Sequence, residues 1–182
     1  MQNLTVRLEM VLEQARNACK VPGSGRLIDV GSDHGYVAVR CLEEGISGYV
    51  ICTEIHKAPA QRSADALEEA GFGDRSEVYV TDGLKGVPLQ PGDIIVIAGM
   101  GGDTIIHILE SWPHSRKEEK HFLLQAMTKP EVLRGWLNEQ TDGMLTDQVK
   151  GIGMPEDTVL ALASTILFNA KWADEFDPED NT

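Results

Sequence analysis

The 182-residue sequence is poor in several features, and each shortage removes a group of functions. Cysteine is scarce: Cys19, Cys41 and Cys52 are odd in number, widely spaced and form no CxxC pair. That excludes a disulfide scaffold and a cysteine-based zinc framework, and it suits reduced thiols in a cytoplasmic protein. No apolar run nears the roughly 20 residues needed to cross a bilayer. The opening Met1-Gln2-Asn3-Leu4-Thr5-Val6-Arg7 lacks the basic-then-apolar layout of a signal peptide, so no membrane partner is expected. Positive charge is short as well, with 16 Lys and Arg against 29 Asp and Glu, a formal net charge of −13. Such a balance counts against a broad phosphate-binding surface. His107, His114 and His121 recur every seven residues but straddle Pro113, with no acid or cysteine at ligand spacing. No metal site is expected.

What is present is an ordinary globular composition, 42% apolar and 25% charged. The length fits one domain, read as residues 1–170. Asp174, Glu175, Asp177, Glu179 and Asp180 crowd the end, so residues 171–182 read as an acidic, disordered tail. Leu4, Leu8, Val11, Leu12 and Ala15 fall at helical spacing and predict an amphipathic helix over 4–19. Val21-Pro22-Gly23-Ser24-Gly25 ends it. Short β-branched runs follow at Arg26–Val30, Tyr49–Ile55, Glu77–Thr81, Asp93–Ala98 and His121–Gln125, with helical stretches at 35–45, 57–71, 102–111 and 129–140 between and after them. Strands alternating with helices imply right-handed crossovers and a doubly wound, mostly parallel α/β sheet. Ile94-Ile95-Val96-Ile97 is apolar on both faces, as a central strand must be. Met144–Lys150 and Thr158–Thr165, joined by a Gly/Pro turn, read as a hairpin closing the sheet edge.

Ligands of open α/β sheets bind beyond the carboxyl ends of the strands, where strand order reverses. The first strand ends Asp29-Val30-Gly31-Ser32-Asp33-His34-Gly35-Tyr36. Gly31 and Gly35 permit a tight turn and close backbone approach, while Asp29 and Asp33 bring carboxylates. A dinucleotide site would need GxGxxG to cradle a pyrophosphate; Asp33 in mid-loop would repel it. There is no Walker lysine for a nucleoside triphosphate either. S-adenosylmethionine has no phosphate and carries a cationic amino group and a sulfonium, so an acidic loop suits it. The competing reading is a structural turn with an Asp or His helix cap. Glu54, followed by Ile55, ends the second strand 25 residues after Asp29, near the offset at which an acid meets ribose hydroxyls. Asp82-Gly83-Leu84 ends the third, where Asp82 can accept from an adenine amino group and Leu84 pack on the ring. Three acids ending three successive strands converge on one crevice. Ala98-Gly99-Met100-Gly101-Gly102 then puts bare backbone beside its contents, with Met100 as an apolar wall.

Together, Asp29-Val-Gly-Ser-Asp-His34, Asp82-Gly-Leu84 and Ala98-Gly-Met-Gly-Gly102 resemble the bacterial tRNA (adenine-N1)-methyltransferases of TrmK type. The likeness runs over about residues 4–165 and includes Arg7-Leu8, Leu124–Thr128 and Leu133–Leu137. It implies a Rossmann-like class I methyltransferase fold, S-adenosylmethionine as cofactor and N1 of adenine 22 in tRNA as acceptor. Asp33, His34 and Tyr36 are then the candidate catalytic residues, for charge stabilisation, positioning and base stacking. Three local departures stand out: Gly35 where the family has Ala, Ala126 where it has Pro, and no Tyr near Asp157–Thr158. The family's C-terminal helical extension is also absent, an acidic tail following Trp172 instead. These departures keep open a small molecule or protein as acceptor, or a non-catalytic cofactor-binding paralogue. Arg116, Lys117, Lys120, Lys129 and Arg134 are the one local basic concentration, diluted by Glu118, Glu119 and Glu131 into a mixed-charge face.

Overall fold

The computed structural model describes residues 5–112, 120–140 and 160–162. Helix α1, Val6–Ala18, starts where the Thr5 side chain accepts a hydrogen bond from the Leu8 amide and buries Val11, Leu12 and Ala15. Strand β1 (Arg26–Val30), helix α2 (Tyr36–Glu43), strand β2 (Tyr49–Glu54), helix α3 (Lys57–Glu69) and strand β3 (Ser76–Val80) follow. Then come β4 (Ile94–Gly101), α4 (Gly102–Ser111), β5 (His121–Thr128), α5 (Pro130–Gln140) and β6 (Leu160–Leu162).

The six described strands form one sheet in the order β3-β2-β1-β4-β5-β6. β1 to β5 pair in parallel, and β6 lies antiparallel to β5 from Phe122↔Leu162 to Leu124↔Leu160. Chain direction from β1 goes outward to β2 and β3, then returns across β1 to β4. That reversal opens a crevice at the carboxyl ends of β1 and β4.

Layering follows from the period-two alternation of a strand. Leu27, Ile94, Val96 and Leu123 point to one face and pack with α1 and α2 residues such as Leu12, Ala38 and Cys41. Ile28, Ile95, Ile97 and Leu124 point to the other and pack with Ile105, Leu109, Leu133 and Leu137 from α4 and α5. The all-apolar run Ile94–Ile97 is thus covered by helices on both sides, as expected of a central strand.

Two features differ from expectation. β4 runs on through Gly101, with register irregularities between Ala98 and Met100 and between Met100 and Gly101. The glycine-rich segment is therefore a bulged strand end, not a loop after the strand; Gly99 at φ +82° supplies the backbone turn that lets pairing resume. Second, the expected basic concentration is dispersed. Lys120 is buried near the Trp112 ring and Lys129 pairs with Asp103 at 2.5 Å, while Arg116 and Lys117 lie outside the described residues. So do His114, the hairpin partner Met144–Lys150 and the tail 171–182.

Gly102 shows how tightly α4 meets the β5–α5 connection. A Cβ there would lie 2.4 Å from the Lys129 carbonyl oxygen, which is backbone and cannot swing away. Gly102→Ala is expected to cost about 1–3 kcal/mol by overpacking. Thermal unfolding checks it, at about 2–4 °C of Tm per kcal/mol for a chain of this size.

Candidate cofactor site

The crevice is built from strand ends whose local sequence enforces sharp turns. Gly31 at φ +71° turns the chain out of β1, and its amide donates to the Thr53 carbonyl of β2 at 2.8 Å. Asp33 follows in the left-handed region at φ 52°, its amide donating to the Glu54 carboxylate. Gly35, at φ +70°, lies against Ser63 of α3, with only 3.3 Å to a Cβ. The Ser32 hydroxyl meets the Ser63 hydroxyl at 2.8 Å. Helix α2 starts after Gly35 with no side-chain cap, so neither Asp33 nor His34 plays the capping role that a purely structural turn would give it.

Two of the three expected acids meet here. Asp29, one residue inside the end of β1, is 5% exposed, and its Oδ2 has no hydrogen-bond partner. Burial, then the charge of Glu54, push its carboxyl up to about 7, against a backbone hydrogen bond from Ala38 that favours the anion. Glu54, on neighbouring β2, is buried too. Asp82 is different: it is partly exposed and pairs with Lys85 at 2.5 Å, a hydrogen bond that lowers its pKa. Gly83 is forced by Ile108, whose Cγ2 would lie 2.9 Å from a Cβ. Leu84 is 2% exposed and belongs to the core, bracing the turn from below.

On the β4 side, Met100 reaches across to Gly31, where a Cβ would lie 2.1 Å from its terminal methyl. Gly99 is held by Gln125, whose Oε1 accepts the Gly99 amide at 3.0 Å and Arg7 Nη1 at 3.0 Å. Gly101 faces Thr128, and Ala98 is half-buried beside them. Exposed apolar side chains collect at this same edge of the sheet: Tyr36, Ile55, Val80 and Met127.

The expected catalytic residues stand on the outer side of the first loop. Asp33 Oδ1 pairs with Arg62 of α3 at 2.6 Å, and its side chain is 64% exposed. His34 stacks on Tyr36 with ring centroids 5.2 Å apart and an 18° interplanar angle. Both rings border an open cavity of about 550 Å³ between α2 and α3, which also takes in Arg40, Arg62 and Asp65. Among the described residues no cluster of three or more His, Cys, Asp or Glu is placed to hold a metal, and no helix is long and apolar enough to cross a membrane.

Sequence reasoning missed Gln125 and Arg7 as site residues. Both left a signal: Gln125 is the one polar side chain in the buried run Phe122–Ala126, and Arg7 lies four residues before buried Val11, at the end of the apolar stripe of α1. A polar group in either place needs a partner, and the two are each other's.

The orphaned Asp29 oxygen and the glycines of the first and fourth strand ends suit the amino-acid end of S-adenosylmethionine. An ammonium would satisfy the buried acid, and bare backbone admits a ligand where a Cβ would not.

Comparison with known proteins agrees with this geometry. The chain is 27% identical over 146 residues to the tRNA (adenine(22)-N(1))-methyltransferase of Bacillus subtilis, covering 80% of this chain and 59% of that protein. The B. subtilis m1A22 tRNA methyltransferase TrmK structure superposes with a TM-score of 0.63 at 28% identity, over 78% of this chain and 58% of that one. A putative tRNA (m1A22) methyltransferase of Streptococcus pneumoniae, solved with S-adenosyl-L-methionine, gives 0.64 at 29%, over 76% and 63%. The chain thus spans about three fifths of the length of these relatives. A second likeness was not anticipated. Residues 121–182 match the serpin (serine protease inhibitor) family, and 52 residues are 40% identical to alpha-1-antiproteinase of Mus saxicola, 29% of this chain but 12% of that protein. The methyltransferase-domain family matches residues 4–149 and takes in five strands and five helices of the described fold. On that match the chain belongs to the methyltransferase-domain family.

Proposed function

We propose that this protein is an S-adenosylmethionine-dependent methyltransferase that methylates N1 of adenine in tRNA, at position 22. The observation that carries the cofactor is the buried Asp29–Glu54 pair, with an unpartnered carboxylate oxygen in a glycine-lined crevice. The acceptor rests on the similarity to the tRNA methyltransferases.

S-adenosylmethionine, when bound, supplies an electrophilic methyl group on a sulfonium. Asp29 meets the amino group, Glu54 the ribose hydroxyls and Asp82 the adenine amino group. Gly31, Ser32, Asp33, Gly35, Gly83, Ala98, Gly99 and Gly101 give backbone approach, while Ile55, Leu84 and Met100 give apolar contact. Adenine N1 is its own nucleophile, so the protein needs alignment more than a base. The adenine becomes cationic, and a nearby carboxylate stabilises that charge. Asp33 fills this role, released from Arg62 when substrate enters. The stacked His34 and Tyr36 rings offer an aromatic face to a base drawn from its stack.

Cofactor binding is expected to weaken below about pH 7. Asp29 must be ionised to meet an ammonium, and its carboxyl sits at about 7 in the free protein. Affinity should therefore fall by up to about tenfold per pH unit below that value. Calorimetry across pH 5.5–8 reads this directly.

The net charge of −13 favours a second reading, with the same cofactor but a small molecule or protein as acceptor. One experiment separates the two: methyl transfer from labelled S-adenosylmethionine to unmodified tRNA, followed by nucleoside analysis. 1-Methyladenosine supports the first reading. Cofactor binding without RNA labelling supports the second.

A further inference from the structure

We infer that Arg7 anchors the carboxylate of the cofactor's amino-acid end, forming with Asp29 a two-point clamp for a zwitterion. The inference rests on the S-adenosylmethionine reading above and names a residue of that site.

An α-amino acid presents a cation and an anion two bonds apart, so a site that selects it needs one group of each sign. Asp29 is the buried anion. The cations at the carboxyl-edge loops are already committed: Arg62 to Asp33 at 2.6 Å, Lys85 to Asp82 at 2.5 Å and Lys129 to Asp103 at 2.5 Å. Arg7 differs. It is half-buried, and among the described residues its one hydrogen-bond partner is the neutral amide oxygen of Gln125. A guanidinium has five N–H donors, and most of those of Arg7 are left for a ligand.

Its position is fixed from two sides. Thr5 starts α1, and Val11, Leu12 and Ala15 seat that helix in the core, so Arg7 is carried to the ends of β4 and β5. There its Nη1 lies 2.9 Å from where a Gly99 Cβ would be. Met100, the next residue, reaches Gly31, which follows Asp29 by two positions. Arg7, Gly99, Met100, Gly31 and Asp29 thus form a continuous floor with a cation at one end and an anion at the other. The floor between carries no side chain at its two glycines. A planar guanidinium pairs with a carboxylate through two parallel hydrogen bonds, which sets orientation as well as affinity.

Calorimetry with two probes tests this in the full chain. S-adenosylhomocysteine carries the zwitterionic end, and 5′-methylthioadenosine shares the adenosine and thioether but lacks it. Arg7→Ala should weaken S-adenosylhomocysteine binding by about 10- to 100-fold and leave methylthioadenosine affinity unchanged. Arg7→Lys, which keeps charge but not the fork, should fall between. Equal loss for both probes would mean that Arg7 only braces Gln125 and Gly99, which overturns the inference. So would Arg7→Ala with wild-type affinity for S-adenosylhomocysteine. If Arg7→Ala does not fold, Arg7→Lys decides alone: a loss confined to S-adenosylhomocysteine supports the clamp, and no loss or an equal loss overturns it. Wild-type protein that binds neither probe overturns the cofactor reading itself, a result distinct from all of these.

Discussion

Asp29→Asn is expected to weaken S-adenosylmethionine binding by roughly 10- to 100-fold, the range for a hydrogen bond to a charged partner. The same change should stabilise the free protein above neutral pH. Asp29 is buried, with one oxygen unpartnered, and its carboxyl is raised from 3.8 to about 7, first by burial and then by Glu54. A raised folded-state pKa means that the neutral form is the one the fold favours. Below about pH 4 the group is protonated folded and unfolded, and it costs nothing. Between about 4 and 7 the folded state holds the proton more tightly, so stability falls as pH rises. Above about 7 the full cost is present, on the order of 4 kcal/mol for a shift of this size. Asparagine keeps an acceptor for the Ala38 amide and has no charge to desolvate. Wild type and variant should therefore melt together near pH 4 and diverge by several degrees at pH 8, the variant higher. A variant that gains stability while losing its ligand would mark Asp29 as placed for binding. Equal melting at pH 8 would remove the strained carboxylate from the account.

Arg26→Met is expected to cost about 3–5 kcal/mol, the range for breaking a buried ion pair from one side. Asp93 is 2% exposed and takes Arg26 Nε at 2.9 Å, Arg26 Nη2 at 2.7 Å and the Gln90 amide at 2.6 Å. Its backbone carbonyl accepts the His121 amide at 2.9 Å, so one residue ties the starts of β1, β4 and β5. The hydrogen bond to Asp93 also holds the Arg26 pKa above its ordinary value. Removing the guanidinium leaves a buried carboxylate with one amide. Pairing Arg26→Met with Asp93→Leu should recover much of the loss, because the cost lies in the stranded charge. Urea unfolding of the two single variants and the double closes that cycle. A single variant within about 1 kcal/mol of wild type would show the pair to be solvated. The site lies at the opposite, amino-terminal edge of the sheet, so cofactor affinity should not change.

The periodicity of the sequence made most of the architecture legible because each strand carries its environment in its composition. Ile94–Ile97 can only be central, and Arg26–Val30 begins at a polar residue and ends buried, as β1 does. The acids at the strand ends were legible for the same reason: a carboxylate after an apolar run stands at a crevice or in solvent. Sequence could not tell these two apart. Asp29 and Glu54 proved buried, while Asp82 and Asp33 proved exposed and paired with Lys85 and Arg62 from neighbouring turns. That pairing depends on three-dimensional placement and leaves no periodic trace. The bulge at Gly99 was hidden likewise, since Gly-Met-Gly-Gly reads equally as a loop or as an irregular strand.

The late part of the chain was misread for a different reason. The missing hairpin Tyr and the missing helical extension both fall within residues 121–182, where the serpin likeness lies. An alternating run such as Thr158–Thr165 predicts an edge strand whatever its relationship, and Leu160–Leu162 does pair with β5. Local pattern fixes the strand and says nothing of the family that it resembles.

The central claim is that a buried carboxylate is held ready for a cationic methyl donor. Carbon-detected NMR titration of the Asp29 side chain, without and with S-adenosylhomocysteine, measures it on the group itself. The account predicts a midpoint near 7 in the free protein, moving down by about 1–3 units in the complex as the ligand's ammonium arrives. A midpoint near the ordinary carboxylate value in the free protein, or one unmoved by saturating ligand, would contradict it.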